Sequence, residues 1–259
     1  MGILNVSRES FYKKSIKTTT SQISDRVKEM EMEGADFIDI GGMSTAPYND
    51  IISKEMETRR ITRAIKIATD SCNLPISIDT PRASVAKAAL EMGAGIINDV
   101  TGLQYDSQMP QVIKKYQPSV ILCAYGTGTN HYNSAHLIKL LQKSIKIAKS
   151  VKDTSDIVLD PAIGFFRQSS GNPMHTRIRI PWYERDLYTI NTLNVLSSKF
   201  TQPILVSVSN KSFMSHINKS DNLNQLLAGS LSSETVARIK GASIIRTHNI
   251  HETRKALQL

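Results

Sequence analysis

Six short apolar runs in this chain each close on a side chain able to do chemistry. They are Asp36-Phe-Ile-Asp39-Ile, Leu74-Pro-Ile-Ser-Ile-Asp79, Gly95-Ile-Ile-Asn98-Asp99, Ile157-Val-Leu-Asp160, Ile204-Leu-Val-Ser-Val-Ser-Asn-Lys211 and Ile244-Ile-Arg246-Thr-His248. Brought together, Asp39, Asp79 and Asp160 with Asn98 and Lys211 offer acceptors to a ring bearing several N–H groups and a cation to its carbonyl. Arg246 and His248 alternate along one strand end, so both can face the same side. With Asn5 and the helix start that follows Lys211 and Ser212, they form an anion-binding corner. There are plainer alternatives: each carboxylate could cap the next helix, and His248 could be a satisfied core histidine. A metal centre has little support, because His248 and His251 stand three apart without a third ligand at a recognisable spacing.

These side chains need a scaffold that delivers strand ends to one rim. Apolar strand patterns occupy residues 1–6, 36–40, 75–79, 95–98, 119–123, 156–159, 203–207 and 243–246. Helical periodicity occupies 21–33, 54–70, 83–92, 107–116, 134–150, 183–200, 221–240 and 251–257, with Gly34 and Gly93 as stops. Eight strand–helix pairs in 259 residues predict a single (β/α)8 TIM barrel over 1–259, ahead of an open doubly wound sheet. In such a barrel the loops after the strands build the site. The segment 161–182, with Arg167, Arg177 and Arg179, reads as a loop and candidate lid.

The balance of 32 Lys plus Arg against 23 Asp plus Glu, a net charge of +9, favours an anionic partner. The basic residues are spread through the helices, which argues against nucleic acid and leaves a phosphorylated small molecule. Gly126-Thr-Gly128 lacks the third glycine of a dinucleotide fingerprint, and no nucleophile elbow occurs. Cys72 and Cys123 cannot build a disulfide scaffold and read as free thiols. No apolar run approaches the roughly 18 residues of a membrane span, and Met1 leads directly into a strand. The expectation is a soluble cytoplasmic protein without a membrane partner.

Further stretches share a pattern with those above: Met1-Gly-Ile-Leu-Asn-Val, Ser10-Phe11, Gly34-Ala-Asp-Phe-Ile-Asp-Ile-Gly-Gly, Ser44-Thr45, Ile76-Ser-Ile-Asp-Thr, Ile96-Ile-Asn-Asp-Val, Asp160-Pro-Ala-Ile-Gly-Phe, Val208-Ser-Asn-Lys-Ser-Phe, Gly229-Ser-Leu and Ile245-Arg-Thr-His. In order, over nearly the whole chain, they resemble the dihydropteroate synthases of the pterin-binding barrel superfamily. Those enzymes join a dihydropterin methyl diphosphate to p-aminobenzoate and release diphosphate. The resemblance implies that Asp79, Asn98, Asp160 and Lys211 hold the pterin, and that Asn5, Arg246 and His248 hold the diphosphate. It also implies Mg2+ near Asn5, with Phe11, Thr45, Pro47 and Ser212 around the aminobenzoate or a related arylamine. The catalytic set carried over is Lys211, Asp79, Arg246 and His248, and a homodimer through the last helices is implied too.

The chain departs from that pattern mainly in two loops. Lys13 stands where an acid is expected, and Ala46 replaces the arginine of the usual Ser-Thr-Arg-Pro. Cys123-Ala-Tyr-Gly takes the place of a Met-His-Met-like segment, Asn210 that of the arginine before the lysine, and Asn249 that of an acid after the histidine. Two rival readings follow: a pterin-dependent methyltransferase serving a corrinoid protein, and a pterin-binding protein without catalysis.

Overall fold

A computed structural model describes residues 1–7, 17–47, 49–126, 133–153, 155–218 and 222–258. Strands β1 (Gly2–Asn5), β2 (Ile38–Gly41), β3 (Ile76–Asp79), β4 (Ile96–Asp99), β5 (Ser119–Cys123) and β6 (Ile157–Asp160) form one parallel sheet in chain order. Two-residue strands β7 (Phe166–Arg167) and β8 (Thr176–Arg177) pair with each other outside that sheet. The last two, β9 (Leu205–Val206) and β10 (Ile244–Ile245), also pair in parallel. Single bridges Leu159↔Ile204 and Gly2↔Thr247 then join this pair to β6 and to β1. Backbone bonds from Leu159 N to Pro203 O (3.0 Å) and from Thr247 N to Met1 O (3.0 Å) complete the circuit. Eight parallel strands, β1–β6 with β9 and β10, thus make the closed barrel that the strand pattern predicts.

Alternation along each strand divides its side chains between two environments. Leu4, Ile40, Ile78, Ile97, Leu122, Leu159 and Val206 are buried in the main core, which lies between the barrel and its helices. Met1, Ile121 and Leu205 form a separate cluster with Phe37, Ile96, Val158 and Ile244 at its edge. They come from opposite sides of the strand circuit, β5 and β9 among them, so the space they share is the barrel interior. Two residues further along each strand, the inward positions are Ile3, Asp39, Asn98, Cys123, Asp160, Ser207 and Arg246. An apolar plug therefore sits below a polar layer, consistent with the layered filling of such barrels.

The helices are α1 (Thr20–Met32), α2 (Lys54–Thr69), α3 (Ala83–Glu91), α4 (Met109–Tyr116), α5 (Ser134–Lys149), α6 (Trp182–Asn191), α7 (Leu193–Lys199), α8 (Ser212–Asn218), α9 (Leu223–Ile239) and α10 (Ile250–Leu257). Most begin and end within two residues of the periodic patterns. Thr19 starts α1 with a capping box to Gln22, which closes two otherwise unpaired donors at once. Two local expectations change. The run 183–200 breaks at Thr192 into α6 and α7. The short α8 begins at Ser212, where a helix start is expected, and precedes α9.

The segment 161–182 is built structure instead of an open lid. Phe166, Met174 and Ile178 are buried, β7 pairs with β8, and Asn172 Nδ2 donates to the Thr45 carbonyl at 3.2 Å. Two-residue strands leave no periodic signature, which is why the sequence pattern reads as a loop there. Both cysteines are buried free thiols, as expected. No helix among the described residues is long and apolar enough to cross a membrane.

Candidate active site

The polar layer is organised by Asp39, which the strand pattern counts among the acceptors for a ring and whose oxygens are instead taken up within the protein. It is fully buried. Its Oδ1 accepts from Ser77 Oγ at 2.6 Å, and its Oδ2 accepts from Asn98 Nδ2 at 3.1 Å and Arg246 Nε at 2.7 Å. Arg246 reaches on to Asp79, donating from Nη2 to Oδ2 at 2.9 Å. A bidentate-capable guanidinium thus bridges two carboxylates delivered by β2 and β3. The amide nitrogen of Asn98 is spent on Asp39. Its Oδ1 is buried without a hydrogen-bond partner, which makes it an acceptor for an N–H that the protein does not supply.

Burial raises the carboxyls of both Asp79 and Asp160. Burial pushes the Asp79 carboxyl up to about 7, opposed by Arg246 and reinforced by Asp39. Asp160 is also raised by burial, but it accepts the Ala162 N–H at 2.7 Å. That bond is local to the loop after β6 and caps no helix. Asp99 is likewise spent on its own loop: its oxygens accept from the Thr101 N–H and hydroxyl and from the Leu103 N–H.

Lys211 closes the other side. Burial and the nearby Arg246 bring its ammonium down to about 8, while Asp160 and Asp186 oppose the shift. The side chain runs over Gly164 and ends 4.8 Å from the centroid of Phe165. A Cβ on Gly164 would stand 3.0 Å from Lys211 Cδ and 3.1 Å from Nζ, and its φ of +88° suits glycine. The turn carrying Gly164 is fastened from α6. Asp186 accepts the Gly164 N–H on both oxygens at 3.1 Å, and Arg185 donates to the carbonyls of Pro161 (2.7 Å) and Ala162 (3.1 Å). Neither residue has a signal in the sequence that could reveal it, because an acid and a base adjacent on a helix usually face solvent.

His248 is held by Ser209, whose Oγ accepts the His248 backbone N–H at 3.2 Å and lies 3.1 Å from Nδ1. Either atom of the Ser209 Oγ–Nδ1 pair can be the donor, and the contact fixes the orientation of the ring. Burial, followed by the charges of Arg246 and Lys211, takes this imidazole down to about 3. It is therefore neutral at physiological pH.

These groups meet at a cavity of about 180 Å³ lined by Asn5, Thr45, Asp79, Lys211, Arg246 and His248, among others. Asn98 and Asp160 lie deeper, 4% and 6% exposed. Of the remaining expected residues, Ser212 and Pro47 are outside the cavity lining, and Phe11 lies outside the described residues, as does Lys13. Among the described residues, no group of three His, Cys, Asp or Glu could hold a metal ion.

One rim therefore presents acceptors for a hydrogen-bond-donating ring and donors for an anion. The pterin-binding enzyme family matches residues 1–248. The chain belongs to that family. The dihydropteroate synthase of Clostridium beijerinckii is 33% identical, with 100% of this chain and 91% of that protein covered. That of Bacillus subtilis is 31% identical over 97% of this chain and 84% of its own length. Among solved structures, the dihydropteroate synthase of Clostridium difficile, determined in the presence of pteroic acid, superposes with a TM-score of 0.85 at 31% identity, covering 100% of this chain and 93% of that one. The Xanthomonas albilineans enzyme in complex with 7,8-dihydropteroate gives 0.80 at 26% identity, covering 99% and 90%. The barrel of this pterin-binding enzyme is thus the barrel of dihydropteroate synthases.

Proposed function

We propose that the chain, as one domain over 1–259, is a dihydropteroate synthase-type transferase acting in folate or related pterin cofactor synthesis. It would join a dihydropterin methyl diphosphate to p-aminobenzoate or a related arylamine. The observation that carries this reading is the partnerless Asn98 Oδ1 beneath a cavity that also holds Arg246 and His248: an N–H-bearing ring and an anion are wanted side by side.

In this reading Asp79, Asn98 and Asp160 accept from the pterin, and Lys211 donates to its carbonyl. Arg246 and His248 bind the diphosphate and stabilise it as the C–O bond breaks. The arylamine nitrogen forms the new C–N bond and loses a proton. Thr45, Pro47, Ser212 and Phe11 would surround the arylamine, and holding it against the methylene supplies most of the remaining rate gain. Asn5 offers one hard amide oxygen, which fits Mg2+ only as an ion shared with the diphosphate, since Mg2+ favours few protein ligands plus substrate phosphates. When bound, the ion would neutralise charge on the leaving group. The homodimer through the last helices belongs to the same reading.

Calorimetry with dihydropterin diphosphate and with methyltetrahydrofolate, with and without Mg2+, tests it together with a diphosphate-release assay. The transferase prefers the former, requires Mg2+ and releases diphosphate only with arylamine present. Preference for methyltetrahydrofolate would favour the methyltransferase rival, and tight binding without release would favour a protein that only binds pterin.

A further inference from the structure

The connection between β7 and β8 reaches across the rim to the loop that follows β2, and Asn172 makes the contact. This residue is 6% exposed, and its Nδ2 donates to the Thr45 carbonyl at 3.2 Å. Its Oδ1 accepts the Met174 N–H at 2.9 Å, and its backbone N–H donates to Ser170 Oγ at 3.1 Å. Turning the amide over would break both side-chain bonds, because each needs its own atom. Asn172 is thus locked as a donor to Thr45.

The same connection supports the wall of the cavity. Ser170 Oγ lies 2.7 Å from His175 Nδ1, and the His175 ring meets Phe165 edge to face, with centroids 5.7 Å apart at 73°. Phe165 lines the cavity, and Lys211 Nζ stands 4.8 Å over its ring. Burial, followed by the charge of Arg167, brings His175 down to about 4, with the Thr45 backbone opposing the shift. The ring is therefore neutral at physiological pH. Elsewhere the loop after β2 is tied at Gly42, whose carbonyl accepts from Arg60 at 3.2 Å. Within the loop, Ser44 Oγ accepts from the Ala46 N–H and from Asn49 Nδ2. At Thr45 it is tied to the opposite side of the rim, and a loop already held in its binding shape spares a ligand the cost of ordering it.

We propose that Asn172 is a positioning residue for the arylamine: by holding the Thr45 carbonyl, it keeps the loop after β2 in its arylamine-binding shape. This inference rests on the transferase reading, which puts Thr45 beside the arylamine, and adds to it a residue that sets KM for that substrate.

The test is a KM-against-kcat comparison for p-aminobenzoate at pH 8.5 in wild type, Asn172→Ala and Asn172→Asp, alongside calorimetric binding of dihydropterin diphosphate. Asn172→Asp keeps an acceptor for the Met174 N–H and removes the donor to Thr45, so the β7–β8 connection stays built. Both variants should raise KM about 3- to 10-fold, the ratio expected for one net hydrogen bond. Their kcat and their Kd for dihydropterin diphosphate should stay within about twofold of wild type. A merely structural asparagine would weaken arylamine and dihydropterin diphosphate together, and that result overturns the proposal. So does a wild-type KM in both variants. A wild type that does not bind dihydropterin diphosphate, or that binds it and consumes no arylamine, overturns the transferase reading and this inference with it.

Discussion

The barrel has two arcs of opposite charge. β1–β6 form one ladder of four- and five-residue strands and deliver Asp39, Asp79, Asn98 and Asp160. The closing arc, β9 and β10, pairs over two residues and meets the rest through single bridges, yet it delivers Lys211, Arg246 and His248. Ion pairs from Arg246 to Asp39 and Asp79 reach across to the long ladder. The acids are thus fixed by continuous backbone pairing, whereas Arg246 is fixed largely by the acids. That division suits a site whose cations must exchange a carboxylate partner for an incoming anion, because a lightly laddered arc adjusts at lower cost than a continuous one.

Removing the hub should show the largest effect. Asp39→Ala leaves Arg246 short of a buried partner and strands Ser77 and Asn98, so unfolding in urea should lose about 3–5 kcal/mol. A loss below about 1 kcal/mol would mean that Asp79 alone can hold the closing arc. Next in size, Arg246→Ala should weaken dihydropterin diphosphate by about 1.5–3 kcal/mol and affect a pterin without diphosphate far less. Equal weakening of both ligands in calorimetry would remove Arg246 from the anion corner. On the seam between the arcs, Gly164→Ala forces a Cβ toward Lys211 at positive φ and should lower stability by about 1–2 kcal/mol. A weaker pterin Kd should accompany it, and stability lost without any change in Kd would separate the turn from the lysine.

The smallest effect is one of pH. His248, down to about 3 from an ordinary 6.5, binds fewer protons folded than unfolded between those values, so stability declines as pH drops below about 6.5. At pH 6 the contribution is a little under about 1 kcal/mol relative to pH 8. His248→Gln should flatten that part of the urea-derived profile. An unchanged slope would show that the imidazole titrates near its ordinary value.

Most of the architecture and the chemical identity of the site were legible in the residues alone. Apolar alternation within four residues marks a strand wherever it ends, so Asp39, Asp79, Asn98 and Asp160 announce their own positions, as do Lys211, Arg246 and His248. Helix limits were legible for the same reason, since caps and stops such as Thr19 and Gly34 act within a turn. Partner choice was not legible. Asp39 meets Arg246 across 207 residues, and Gly164 meets Asp186 across 22, separations at which no periodicity operates. The pair β7 and β8, too short to carry a period, turned a predicted loop into the support of Asn172. Strand alternation is a property of one segment, whereas the pairing of charges exists only once the barrel has closed and placed the two arcs face to face.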